Sequence, residues 1–299
     1  MITSSTLDRL LERVTAGRNL TAPEISEIGA AADILSLGML ADVVRRRLHD
    51  SQITCLRVAP CACDQPDVGA IPAGAREVRI SDTPASLDAA TAAVEKVRAA
   101  SGDRVVSGFS WGDVDHVAAA AGLSVSRALA MLHDAGLEAL VEVPLDTIAD
   151  TDHVVNCLMG AGFRQIRFTI EKAPASERQV LIERASVLQE HYGSIQTINP
   201  LPTVLHAARP TTGYDDVKAV AIARLAAPNI STVQVDWLRY GPKLAQVALT
   251  FGADDLDAVS ASDDAHEGRR RAPLEEVRRS VEAAGLSLAE RDGHFNVVP

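Results

Sequence analysis

Between Ile53 and Ser260, short β-branched runs alternate with amphipathic helical stretches, and most of those stretches end in glycine just before the next run. Such a chain builds parallel strands joined by helical crossovers, which leaves two architectures, a doubly wound sheet or a (β/α) barrel. The strands read as Thr54–Val58, Glu77–Ile80, Arg104–Gly108, Ala139–Val143, Gln165–Ile170, Ser194–Ile198, Thr232–Trp237 and Asp257–Ser260. Eight strands suggest a barrel. Helices are expected at Ser86–Ala100, Asp113–Ala121, Val125–Ala135, Asp152–Ala161, Ser176–Tyr192, Asp215–Ala226 and Pro242–Phe251. Neither G-x-G-x-x-G nor G-x-x-x-x-G-K-[ST] occurs, so the usual signals of a dinucleotide or P-loop phosphate site are missing.

Residues 1–50 read as a helical extension, 51–262 as the barrel, and 263–299 as a C-terminal helix and strand packed on it. Thr21-Ala-Pro-Glu24 has the form of a helix start, with Pro23 early in the first turn. A net charge of -11 repels phosphate backbones and anionic membranes, and 3% aromatic content leaves little surface for base stacking. Nucleic acid and membrane are therefore excluded as partners. Charged residues are spread through Met1–Leu20, which removes the apolar core of a signal peptide, so a cytoplasmic location is expected. Disulfides are not expected for the 4 cysteines in a reducing compartment.

The stretches Thr211–Leu225, Val233–Leu249 and Phe251–Asp257, with Leu35–Asp50 and Leu132–Glu138, carry a family likeness. The chain resembles the radical S-adenosylmethionine enzymes of the futalosine route to menaquinone, aminofutalosine synthase and dehypoxanthine futalosine cyclase. FO synthase is a more distant resemblance. It implies a (β/α) barrel holding a [4Fe–4S] cluster and S-adenosylmethionine at the C-terminal ends of its strands. It also implies a nucleoside or aromatic carboxylate as ligand, and a homodimer or a complex with a related radical enzyme subunit.

Several parts depart from the family pattern. Members carry C-x3-C-x2-C after the first strand, whereas Cys55, Cys61 and Cys63 form C-x5-C-x-C, with Cys55 inside the predicted strand. These three are the candidate metal ligands. Only Asp64–Ala75 separates this loop from the second strand, so the first barrel helix is expected to be missing and the wall open there. Val141-Glu-Val-Pro-Leu145 stands where the family has a glycine-rich turn. The reading that follows is a diverged relative without a standard cluster, against a live radical enzyme with an unorthodox one, or a non-redox lyase. Candidate catalytic residues are Asp257, which begins the last strand and offers a carboxylate as general base, and Arg239 and His206, each just past a strand's C-terminal end. Trp111 is a candidate to cover a purine or plug the mouth, and Asp236 to contact a cofactor. Arg239 either meets a ligand carboxylate or pairs with Asp236 or Asp254 as scaffold.

Overall fold

The computed structural model describes residues 4–31, 33–64, 66–202, 213–265 and 271–298. Three helices lead in: α1 (Ser4–Thr15), α2 (Ala22–Ala30) and α3 (Ile34–His49). At the start of α2 the Glu24 carboxylate accepts from the Thr21 backbone N–H (2.9 Å) and hydroxyl (2.8 Å), fixing the entry of the chain. The barrel strands are β1 (Gln52–Ala62), β2 (Glu77–Ser81), β3 (Val105–Ser110), β4 (Ala139–Pro144), β5 (Ile166–Ile170), β6 (Ile195–Pro200), β7 (Thr232–Asp236) and β8 (Asp255–Ser260). Their crossovers are α4 (Leu87–Ser101), α5 (Trp111–Ala120), α6 (Val125–Asp134), α7 (Thr151–Gly160), α8 (Ala175–Tyr192), α9 (Tyr214–Ala226) and α10 (Trp237–Leu249). Among the described residues no helix is long and apolar enough to cross a membrane.

Neighbouring strands pair in parallel from β1 through β8, and β8 returns to β1, with Thr54 opposite Asp255 and Val58 opposite Ser260. The result is a closed eight-stranded parallel barrel with its helices outside. The expected open wall is corrected by this closure. Between β1 and β2 the described residues hold a single 3-10 turn, Val68–Ala70, so the outer helix is missing while the strand ring is intact.

After β8 come α11 (Pro273–Ala283), β9 (Ser287–Arg291) and β10 (Val297–Val298). Strand β1 is long enough to serve two partners in turn. Its first half, Gln52–Leu56, pairs with β9, and its second half, Val58–Ala62, pairs with β2. The β9–β10 hairpin therefore extends the wall below β2 and sends Arg291 and the Gly293 carbonyl into the N-terminal end of the barrel.

Candidate functional site

The barrel interior is built from charge. Glu77 on β2 accepts from Arg167 on β5 (2.7 Å), Arg79 (2.6 Å) and the Ser107 hydroxyl (2.6 Å). Arg79 makes a two-pronged pair with Asp257 (3.0 and 2.8 Å). Burial pushes the carboxyls of Glu77 and Asp257 up, but the guanidinium groups beside them win and hold both below the usual carboxylate range. One layer lower, Asp255 takes Arg291 (2.6 and 2.8 Å), the Gln234 amide (2.7 Å) and the Thr54 hydroxyl (2.5 Å). Phe295 covers the guanidinium of Arg291 at 3.8 Å from its ring centre.

Above these layers a cavity of about 610 Å3 opens at the C-terminal ends of the strands. Pro60, Arg79, Phe109, Glu142, Asp236 and Ala258 line it, one from each of six strands, and Arg239 closes it from α10. Phe109 (φ 57), Ala258 (φ 57) and Asp82 (φ 70) also line it, although each is a non-glycine residue in the left-handed region. Such a conformation costs about 1–3 kcal/mol and collects where a wall is shaped for a ligand. A smaller cavity of about 200 Å3 adjoins, lined by Trp237 and Arg271, and the rim residue Leu238, 73% exposed, belongs to both.

Of the residues singled out in the sequence, Asp236 and Arg239 meet on this cavity. Asp236 Oδ1 accepts from the Arg239 backbone N–H (2.8 Å) and caps α10, and its carboxyl is pushed up by burial and by the charge of Asp257. Arg239 pairs with Glu142 and lies 3.8 Å from Asp236, while Asp254 is taken by Arg224. Asp257 is joined to the site through Arg79 and, so paired, is no free base. Trp111 begins α5, half-buried against the core, and does not line the cavity. His206 lies outside the described residues.

The structure does not bring Cys55, Cys61 and Cys63 together. Cys55 and Cys61 lie six residues apart on one extended strand, about 20 Å at roughly 3.3 Å per residue, beyond the reach of a shared cluster. Alternation along β1 turns Thr54, Val58 and Pro60 to the lumen and puts Cys55 and Cys61 on the opposite face. Cys61 Sγ is 3.9 Å from the Asp67 carbonyl, and Cys63 is buried in the same apolar core. Burial pushes all three thiols up, Cys55 to about 12, away from the thiolate a metal requires. Among the described residues no group of three His, Cys, Asp or Glu side chains is placed to hold a metal ion. These residues do not fit a [4Fe–4S] cluster.

The sequence reading missed Arg79, Glu142 and Glu171. Glu171 directly follows β5, and its carboxyl meets that of Glu142. Burial, this contact and the charges of Glu142 and Asp146 push Glu171 up to about 7. Asp146 is itself engaged by the backbone N–H groups of Glu171 (3.1 Å) and Ala173 (2.7 Å).

Fold and site define a closed (β/α) barrel with a ligand-sized mouth, and comparisons with known proteins narrow this. Residues 196–297 match the family model described as CofH/MqnC C-terminal region. The 5-amino-6-(D-ribitylamino)uracil–L-tyrosine 4-hydroxyphenyl transferase of Archaeoglobus fulgidus is 35% identical over 124 residues, 37% of this chain and 36% of that protein. A Methanosarcina barkeri protein described as transferase 2 of the same activity is 25% identical over 240 residues, 69% of this chain and 62% of its own length. The chain thus spans about one third to two thirds of these relatives. Methylornithine synthase (PylB) shares the fold with a TM-score of 0.67 at 15% identity, covering 96% of this chain and 98% of that one. The hydrogenase maturase HydG from Carboxydothermus hydrogenoformans does so with a TM-score of 0.65 at 12% identity, covering 95% and 79%. The relatives lie on the FO-synthase side of the resemblance, and the menaquinone side rests on the shared family model.

Proposed function

We propose that this chain is a diverged relative of the hydroxyphenyl transferases that binds a small ring-bearing ligand at the barrel mouth without a standard [4Fe–4S] cluster. One observation carries the reading: the mouth is built and strained for a ligand, while the cysteine side chains of β1 are spread along the strand and face away from it. Phe109 and Leu238 supply apolar surface for a ring, and Arg79, Asp236 and Glu142 orient its polar edge. The relatives' named substrates, 5-amino-6-(D-ribitylamino)uracil and L-tyrosine, are the first ligands to try. A nucleoside of the menaquinone route is the other candidate that the family model supports. Ligand is held in this reading by Arg239 and Asp236, and Asp257 acts through Arg79 as a positioning group.

The test is anaerobic reconstitution with iron and sulfide, followed by an iron count and a visible absorbance scan, beside a thermal-shift screen of the three ligands. The expected result is no four-iron cluster together with stabilisation by one ligand, about 2.7 kcal/mol at a hundredfold excess over its Kd. Four irons per chain with cleavage of S-adenosylmethionine overturns the reading and makes the chain a radical enzyme with an atypical cluster.

A further inference from the structure

The mouth draws its wall from β1 to β4 and from β7 and β8, and takes none from β5 or β6. In the closed ring those two strands fill the arc between β4 and β7. One ion pair spans that arc. Arg239, in the first turn of α10 just after β7, reaches Glu142 on β4, and both side chains line the cavity. The turn itself is fixed: the Arg239 backbone N–H donates to Asp236 (2.8 Å), the Tyr240 hydroxyl donates to the Pro200 carbonyl, and Trp237 is buried. What crosses the mouth is therefore a long side chain on a rigid mount, 45% exposed where the Arg79 side chain is 12% exposed.

The grip on Arg239 is divided. Its Nη2 donates to Glu142 and its Nε lies 3.8 Å from Asp236, so the guanidinium edge that fits one carboxylate with two prongs is split between two. Arg79, the other guanidinium of the cavity wall, is committed to Glu77 and, with two prongs, to Asp257. An entering carboxylate thus has Arg239 to meet. Ion pairs as exposed as Arg239–Glu142 shift an equilibrium by no more than about fivefold, so Glu142 is displaceable. Displacement leaves its carboxylate beside the Glu171 carboxyl without a cation. A two-pronged ligand offsets that cost, and a ligand without a carboxylate leaves the pair in place.

We propose that Glu142 is an internal stand-in for a ligand carboxylate: it holds Arg239 across the mouth and yields that seat to an aromatic carboxylate, so that the Arg239–Glu142 pair is an exchangeable latch that sets affinity for this class of ligand. The inference rests on the reading of the mouth as a ligand site and adds which group of the ligand meets which residue. Phe109 and Leu238 line the same cavity, with Leu238 next to Arg239 in the chain, so a ring has apolar surface within the space where its carboxylate meets the guanidinium. Glu142 competes with every such ligand, and removing its charge raises the affinity instead of lowering it.

The experiment is calorimetric titration of the full chain with L-tyrosine, with tyramine, which lacks the carboxylate, and with 5-amino-6-(D-ribitylamino)uracil. Glu142→Gln is expected to bind L-tyrosine about fivefold tighter than wild type and to gain nothing for tyramine. Adding Arg239→Gln to Glu142→Gln is expected to abolish the gain. Asp82→Asn removes one negative charge from another wall of the same cavity and is expected to gain less than about twofold, which separates release of Arg239 from a general change of field. Where Glu142→Gln does not fold, Glu142→Asp, which draws the carboxylate back by one methylene, is read the same way. An equal gain in Asp82→Asn, an equal gain for tyramine, or a gain that survives loss of Arg239 overturns the latch. Binding of the uracil with no binding of tyrosine in any variant overturns the latch alone. Absence of binding by all three compounds overturns it together with the reading of the mouth.

Discussion

At the residue scale the molecule separates side chains that hold the barrel from side chains that wait at its mouth. Asp257 read as a candidate catalytic carboxylate, yet it and Asp255 are each locked to an arginine from an element far along the chain, Arg79 and Arg291. Sequence shows residue types, not the pairings that closure creates, so Asp236 and Arg239 were legible at the end of a predicted strand, whereas Glu171, just past β5, meets Glu142 only when the strands close. The strained wall gives a direct check. Ala258→Gly relieves a left-handed alanine and should stabilise the protein by about 1 kcal/mol in urea denaturation while loosening the mouth. Loss of stability in that variant would show that the conformation is not strained. The thiols give another. Cys55, Cys61 and Cys63, buried with their thiols pushed up, should resist an aromatic disulfide reagent at pH 8 until denaturant is added. Rapid labelling of Cys61 or Cys63 in the native protein, read by peptide mass mapping, would place them in an open loop instead.

Elements were read well where local pattern decides and poorly where neighbours decide. Each β-branched run became a strand, but β1 runs on past Pro60 to Ala62. The sequence reading ended that strand at Val58. The strand continues because the ladder donor that Pro60 lacks would point toward β8, whose ladder with β1 ends at Val58 and Ser260. Trp237 read as the end of β7 and instead opens α10, because Asp236 caps the turn, and Gly241 (φ 70) then breaks the helix before Pro242. The C-terminal hairpin read as one strand because its docking depends on a contact across the barrel. At Gly293 an added Cβ would stand 2.5 Å from the Val105 Cβ, so the tip sits against β3 with no room for a side chain. Gly293→Ala should therefore push the hairpin off the barrel floor and destabilise the fold by about 1–3 kcal/mol in thermal unfolding. An unchanged midpoint would mean that the hairpin is not needed to close that end.

For the whole molecule, closing eight strands around arginine–carboxylate layers ties stability to pH from two sides. Glu77 and Asp257 have carboxyls held below their unfolded values, so what they contribute is present above about pH 4 and is lost as pH falls through their folded values. Glu171 and Asp236 are pushed the other way, so the fold favours their neutral forms and loses that preference as pH rises, for Glu171 through about 7. The two opposing pulls meet near the ordinary carboxylate values, so the thermal-midpoint maximum is expected at about pH 4 to 5, with stability falling below it as Glu77 and Asp257 protonate and falling above it until Glu171 has ionised at about 7. Glu171→Gln removes the largest titration on the alkaline side, so its midpoint should change little from pH 6 to pH 8 while the acid limb stays in place. A wild-type maximum at pH 8, or an alkaline limb that survives in Glu171→Gln, would show that Glu171 is not held neutral in the native barrel, and the layered charge balance would then have to be drawn without it.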